Sequence, residues 1–207
     1  MQAPPGPFFG IPYPGTFILD RNGVVVQKYF EDDFKQRYTA SDILAKQYNA
    51  ETGEARSTIE AKHLRLSASA GVSAVHVGQR IALDLDIDLP RDVHVYAPGV
   101  QGYIPIDFAI TASDAVKPLP AVYPASKTMH LKAINETVPV YTGHFRILRE
   151  VTMGASLPEG QLTIEGSFRY QACDSRECFI PETVPLKWVL QVEPLDRERP
   201  PADIQHK

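Results

Sequence analysis

The chain has 207 residues, of which 43% are hydrophobic and 22% charged, and its formal net charge is −4. This composition is that of a globular protein and excludes fibrous and wholly disordered chains. The net negative charge and the lack of a dense Lys/Arg run argue against a nucleic-acid partner. No apolar stretch of about 18 residues is present to span a bilayer, and the N-terminus lacks the basic-then-apolar pattern of a signal peptide.

The first segment predicts an extended lead-in followed by a β-hairpin. Residues 1–15 are rich in proline and glycine, which excludes an interior helix or a central strand. Residues 16–20 and 24–30 have the composition of strands, and the Asn22-Gly23 dipeptide between them is the strongest short-range signal for a tight turn.

The run from Pro14 to Val25, Pro-Gly-Thr-Phe-Ile-Leu-Asp-Arg-Asn-Gly-Val-Val, resembles the C-terminal part of thioredoxin-like redoxin domains of the thiol-peroxidase type. In that family a cis proline precedes this hairpin, and Pro14 matches its position. A helix is predicted to start near Thr39. Because no cysteine precedes Cys173, this piece is not a peroxidase on its own. A hairpin buries little surface by itself and exposes strand edges, so residues 1–48 could mediate a homodimer or a domain swap.

The rest of the chain predicts a second, larger unit. Residues 49–62 are polar and are interpreted as a linker, and residues 194–207, rich in proline and charge, as a tail. Between them, residues 63–193 carry strand signals separated by turns, which is typical of an antiparallel β-sandwich of immunoglobulin size. The predicted strands are Leu64–Ala68, Ile81–Leu89, Val93–Ala97, Ile106–Thr111, Met129–Ala133, Val138–Thr152 and a hairpin that holds both cysteines.

One predicted strand alternates cleanly between apolar and polar residues. Over residues 80–89 the isoleucines and leucines occupy every second position, which predicts one face in the core and one in water. Asp84, Asp86 and Asp88 fall on the second face and are predicted to be solvated.

Both cysteines of the chain, Cys173 and Cys178, lie at the mouth of the last predicted hairpin with four residues between them. Facing residues of an antiparallel pair are about 4.5–5.5 Å apart at Cα, which overlaps the range for a disulfide. A bridge closing so short a loop stabilises by only about 2 kcal/mol. This favours a redox-active pair, with an inert hairpin staple and free or metal-bound thiols as alternatives.

Three segments, Asp92–Tyr96, Tyr170–Cys173 and Cys178–Leu186, together resemble the N-terminal domain of the thiol:disulfide interchange protein DsbD. The resemblance spans about residues 64–193. It implies an immunoglobulin-like sandwich with a dithiol at one edge, which passes reducing equivalents between thioredoxin-like proteins and partners outside the cytoplasm. The fold expected for the whole chain is therefore mainly β, with a small N-terminal α/β piece resembling the end of a thioredoxin-like fold.

The same resemblance assigns roles to individual residues. Cys178 matches the cysteine that forms mixed disulfides, and Cys173 matches the resolving one. His94 and Tyr96 share a strand face that the resemblance places beside the cysteines, where they could support a thiolate. In the family a mobile cap loop with an aromatic residue shields the disulfide, and the bulky candidates here are Ile134, Val138, Val140 and Tyr141. The family's best-known members have five residues between the cysteines and a phenylalanine in the cap.

The leading hypothesis is a thiol:disulfide exchange domain of oxidoreductase type, which needs no cofactor. The first alternative is a non-catalytic binding or spacer module of a redoxin with a structural disulfide, and the second is a redox sensor whose loop is released on reduction. No metal is expected, because the remaining histidines show no ligand spacing.

Overall fold

The computed structural model describes residues 15–30, 43, 56–131 and 135–194. Within these ranges, fifteen strands are formed, and sheet pairing is antiparallel except between β5 and β15. The strands are β1 Gly15–Leu19, β2 Val25–Phe30, β3 Ser57–Glu60, β4 Arg65–Ala70, β5 Ala74–Val75, β6 Arg80–Asp88, β7 His94–Tyr96, β8 Asp107–Ile110, β9 Val116–Val122, β10 Lys127–Leu131, β11 Glu136–Thr142, β12 His144–Met153, β13 Gly160–Tyr170, β14 Ala172–Cys173 and β15 Glu182–Val192.

Two sheets enclose the main core. One has the order β3-β4-β6-β12-β9 and the other β5-β15-β13-β8. Trp188 on β15 is buried and donates its indole N–H to the carbonyl of Ser69 on β4 at 3.0 Å, which ties the two sheets together across the core. The predicted mainly β, antiparallel sandwich is confirmed.

The third sheet, β10-β11-β7-β14, continues this sandwich at one end. Its strand β11 leads directly into β12 of the five-stranded sheet, and the prediction of one continuous strand over residues 138–152 was wrong. The chain turns at Gly143, whose φ of 65° is a conformation that residues with a Cβ rarely adopt. This corner separates the sheet that carries the cysteines from the sheet that carries the core.

The second face of β6 is not solvated, so the prediction for Asp84 and Asp86 was wrong. Both are buried, and only Asp88 is exposed. Strand β6 lies in the middle of five strands, and Asp86 faces Arg146 of β12, whose guanidinium Nε lies 2.7 Å from its carboxylate. A buried carboxylate with an arginine partner follows the rule that buried charges are paired.

The N-terminal hairpin is confirmed, with β1 and β2 paired and Gly23 in the turn at a φ of 79°. The helix predicted from Thr39 and the predicted cis proline at Pro14 lie outside the described residues. Strand β3 begins inside the range interpreted as a linker and pairs with β4, so the last residues before the sandwich already belong to its sheet. No helix within the described ranges is long and apolar enough to cross a membrane.

Candidate functional site

The cysteine site is built at the tip of the longest hairpin. Strands β13 and β15 pair without interruption as far as Tyr170 opposite Glu182. Beyond this point the Phe179 N–H still donates to the Ala172 carbonyl across the hairpin at 2.8 Å. Strand β14 also pairs with β7 on its other side, so that Cys173 lies opposite His94. The hairpin therefore belongs to the core sheet along its stem and to the third sheet at its tip.

The predicted pairing of the cysteines is confirmed. Cys173 and Cys178 are joined by a disulfide, with their Cα atoms 4.0 Å apart, and face each other as an isolated antiparallel bridge. Their exposure differs sharply: Cys173 is 1% exposed, whereas Cys178 is exposed to solvent. An incoming thiol can therefore reach Cys178, while Cys173 is covered by its neighbours.

The four-residue loop between the cysteines is held by the side chain of Asp174. Its carboxylate accepts the backbone N–H groups of Arg176 at 2.7 Å and Glu177 at 2.9 Å, and its own N–H donates to the Glu177 carbonyl. The hydrogen bonds from Glu177 and Arg176 lower the pKa of Asp174 below its ordinary value. The loop is thus fixed by an ionised Asp174 at neutral pH.

Tyr96 places a hydroxyl group beside the sulfur pair. Its side chain is 1% exposed, and its hydroxyl lies 3.7 Å from the Sγ atoms of both Cys173 and Cys178. Burial, and secondarily the charge of Glu136, raise the pKa of Tyr96, so the hydroxyl keeps its proton. The hydroxyl can therefore donate a hydrogen bond to sulfur. This hydrogen bond becomes stronger when the sulfur becomes a thiolate.

His94 lies beside Tyr96 in an edge-to-face contact, with ring centroids 5.5 Å apart. It is 4% exposed, and its Nε2 atom is buried without a hydrogen-bond partner among the described residues. Burial lowers the pKa of His94, opposed by the charge of Asp174. The predicted supporting pair is therefore brought to the cysteines, with His94 neutral at pH 7.

The predicted cap residues separate into two groups. Val138 and Val140 are buried and pack with Tyr96 and Cys173 in one small cluster. Tyr141 points to the opposite side of β11, where it stacks on Phe145 and donates to the carbonyl of Pro124 at 2.8 Å. Ile134 lies outside the described residues. Tyr141 therefore does not line the cysteine site.

Sequence reasoning missed Tyr103, which lies in the loop between β7 and β8. Its ring stacks on Tyr96 with a centroid distance of 4.4 Å, and its hydroxyl donates to Glu136 Oε2 at 2.6 Å. This hydrogen bond is the main reason that the pKa of Tyr103 is raised to about 12. The sequence signal is weak, since a single tyrosine after Gly102 in a loop follows no periodicity.

A groove of about 1020 Å³ runs along the sulfur pair. The groove is lined by both cysteines, by His94, Tyr96 and Tyr103, and by Leu89, Pro90, Met129 and Leu131. Outside it, Ile180 is 89% exposed two residues after Cys178, and Phe179 between them stacks on His63 at 4.0 Å. The exposed side of the disulfide is thus bordered in part by apolar side chains.

The described residues hold no group of three or more histidine, cysteine or acidic side chains that could bind a metal ion. What they present is a cystine with one exposed and one buried cysteine, beside a buried tyrosine, at the edge of an antiparallel β-sandwich. Fold and site together define an immunoglobulin-like domain with a disulfide at one edge. The chain belongs to the family described as thiol:disulfide interchange protein DsbD, N-terminal, whose family model matches residues 62–187.

Among solved structures, the chain is similar to the N-terminal periplasmic domain of ScsB from Proteus mirabilis, with 11% identity and a TM-score of 0.48 over 69% of this chain and 52% of that one. It is also similar to the reduced DsbD N-terminal domain of Neisseria meningitidis, with 11% identity and a TM-score of 0.34 over 51% and 74% of the two chains. The match thus spans about half the length of the ScsB structure. No curated protein sequence matches the chain.

Proposed function

We propose that this chain relays reducing equivalents by thiol:disulfide exchange between a thioredoxin-like donor and partner proteins, through Cys173 and Cys178. The observation that carries the proposal is the difference in exposure within one disulfide, with Cys178 open to solvent and Cys173 buried under the Tyr96 hydroxyl. The family to which the chain belongs supports the same class of reaction. We also propose an extracytoplasmic location, which membership of this family supports.

In the first half of the reaction, a thiolate of the reduced donor attacks Sγ of Cys178. The new sulfur–sulfur bond to the donor forms as the Cys173–Cys178 bond breaks, and Cys173 leaves as a thiolate that Tyr96 stabilises. The donor's second thiolate then attacks its own sulfur in the mixed disulfide and releases Cys178. Two electrons and two protons end on this chain, and the donor is left oxidised.

The second half runs in reverse toward an oxidised partner. The Cys178 thiolate attacks the partner's disulfide, and one partner sulfur leaves as a thiolate. Cys173 then attacks Sγ of Cys178, restores the internal disulfide and releases the partner in its reduced form. Cys173 is suited to this resolving step because it is held next to Cys178 and shielded from outside thiols.

Trapping with glutathione disulfide tests the assignment of the two sulfurs. We expect Cys173→Ser to accumulate a mixed disulfide at Cys178, detectable by mass spectrometry, and Cys178→Ser to react at least about 10-fold more slowly because its remaining thiol is buried. Equal labelling of the two variants would contradict the assignment.

A redox titration of the unmodified chain tests whether the disulfide exchanges at all. Equilibration with a dithiothreitol series should give a midpoint above about −300 mV, the range of labile and catalytic pairs. A midpoint well below that value would identify a structural bridge and support the spacer-module alternative.

We further propose that residues 1–48 are the end of a redoxin domain and contribute to association of the chain. The supporting observation is apolar side chains left exposed on the N-terminal hairpin, among them Phe17, Leu19 and Phe30, each about half exposed (49%, 53% and 58%). Sedimentation velocity of the full chain tests this proposal, and a monomer at all concentrations would contradict it.

A further inference from the structure

The groove beside the disulfide contains a second tyrosine, Tyr103, whose hydroxyl bonds to Glu136. Tyr103 packs its ring on Tyr96 at 4.4 Å with an interplanar angle of 26°, and Tyr96 in turn places its hydroxyl 3.7 Å from both sulfurs. The order along the groove is Tyr103, then Tyr96, then the disulfide. The stacked ring of Tyr96 is therefore a contact through which Tyr103 can act on the sulfurs.

Tyr103 is anchored from across the groove. Its loop follows β7 and bends at Gly99 and Gly102, both with positive φ (89° and 78°). The side chain is held by Glu136, the first residue of β11, which accepts a hydrogen bond from the Tyr103 hydroxyl at 2.6 Å. A hydrogen bond to a carboxylate is among the stronger ones available at a surface.

Two roles are compatible with a ring in this place, a shield over the disulfide or a support for Tyr96. Exposure decides between them. Cys178, the residue that an incoming thiol must reach, is exposed, so Tyr103 does not enclose it. Tyr96 is the side chain it covers, and Tyr96 is 1% exposed.

On this basis, and given the proposed function, we infer that Tyr103 and Glu136 are positioning residues for thiol:disulfide exchange. Tyr103, fixed by its hydrogen bond to Glu136, holds the Tyr96 hydroxyl against the sulfur pair. When a thiol attacks Cys178, that hydroxyl is in place to donate to Cys173 as it leaves as a thiolate. A better stabilised leaving thiolate departs faster, so loss of Tyr103 slows exchange.

The test measures the second-order rate constant for reduction of the oxidised chain by dithiothreitol, read by alkylation and mass spectrometry. We expect Tyr96→Phe to slow reduction about 10-fold, because it deletes the donor, and Tyr103→Phe about 3-fold, because it keeps the ring and loses only the anchor. Tyr123→Phe is the matched control. This variant also loses a hydroxyl, which accepts a hydrogen bond from the N–H of Phe108. Because Tyr123 lies away from the groove, the rate of reduction should be unchanged.

A double variant shows whether Tyr103 acts through Tyr96. If it does, Tyr96→Phe/Tyr103→Phe reacts at the rate of Tyr96→Phe alone, since the group being positioned is already missing. If the rate reductions of the two single variants instead multiply in the double variant, Tyr103 acts independently of Tyr96 and the inference is overturned. Faster reduction of Tyr103→Ala, which is the signature of a shield, would also overturn it.

Glu136 is tested with two substitutions that remove the same charge. Glu136→Gln retains an oxygen that can accept from Tyr103, whereas Glu136→Ala does not, so the glutamine variant should be reduced about 3-fold faster than the alanine variant. Equal rates would overturn the role of the hydrogen bond. Failure of the proposed function looks different, because the unmodified disulfide would then resist dithiothreitol and every variant would be equally inert.

Discussion

At the scale of single residues, the site depends on unequal surroundings for two chemically identical groups. Cys173 is enclosed by Tyr96, Val138 and Val140, and Cys178 faces solvent. In exchange chemistry the sulfur that can be reached becomes the point of attack and the other becomes the leaving group. This difference in exposure supports the roles that we propose for the two cysteines.

The buried imidazole of His94 gives a testable pH dependence. Burial holds its pKa below the ordinary 6.5, so as the pH falls the unfolded chain takes up this proton before the folded chain does. The free energy of unfolding then decreases from about pH 7 downward through 6.5 until the lowered folded pKa is passed. We expect His94→Gln to lose this part of the dependence in urea titrations between about pH 7 and pH 5.

The control for this experiment is His130→Gln, which changes an exposed histidine of the same sheet. Its stability should follow the pH dependence of the unmodified chain. If the His94→Gln and unmodified curves run parallel across this range, His94 does not titrate as its burial requires.

Strand alternation put His94 and Tyr96 on one face, and only the resemblance to the DsbD family placed that face beside the cysteines. Sequence alone could not locate Tyr103, since a loop has no period and its partner Glu136 is 33 positions away. It also misplaced Asp84 and Asp86, because alternation cannot distinguish a solvated face from a buried face lined with ion pairs. Sequence alternation thus predicted which side chains share a strand face, but not whether that face is buried.

At the scale of elements, the cysteine hairpin was predictable in its stem and not at its tip. Val184, Leu186, Trp188 and Leu190 alternate on β15 and are all buried as expected. The pairing of β14 with β7 has no local signal in the sequence, because the two strands are about 80 residues apart. Strand β9 was missed since it contains Pro118 and Pro120, which are tolerated there because β9 is an edge strand.

The tip loop yields an element-level prediction. Asp174→Ala removes the acceptor of the Arg176 and Glu177 N–H groups, so we expect these two amides to exchange with deuterium about 3- to 10-fold faster at neutral pH. In the unmodified chain their protection should persist until the pH falls through the lowered pKa of Asp174, below 3.8. Because these hydrogen bonds require the ionised carboxylate, the protection of the two amides is lost in acid.

Ser175→Ala serves as the control, since it alters the same loop without touching that carboxylate. Amide exchange at Arg176 and Glu177 should be unaffected by it. Equal exchange in Asp174→Ala and the unmodified chain would show that the disulfide alone orders the loop.

At the scale of the whole molecule, the sandwich class followed from strand-rich composition and regular turns, whereas the order of strands within the sheets did not. Close packing between sheet neighbours is visible at Gly166 on β13. A Cβ there would lie 2.6 Å from the carbonyl oxygen of Ala109 and 2.8 Å from Ile110. Glycine at this position is therefore required by the approach of β8, which cannot be read from β13 itself.

We expect Gly166→Ala to lower the free energy of unfolding by about 1–3 kcal/mol from overpacking, which exceeds the roughly 0.4–1 kcal/mol gained by restricting the unfolded chain. Urea denaturation measures the difference. Thr163→Ala, on an exposed position of the same strand, should change stability by no more than about 0.5 kcal/mol. An unchanged or higher midpoint for Gly166→Ala would mean that β8 can move away.

The position of Trp188 has a practical consequence for spectroscopy. It is the only tryptophan in the sequence, and it lies six residues along β15 from Glu182, or about 20 Å at the rise of an antiparallel strand. Its emission should therefore change when the sandwich unfolds and stay constant when the distant cystine is opened. One native fluorophore separates loss of structure from change of oxidation state, without any label attached to the protein.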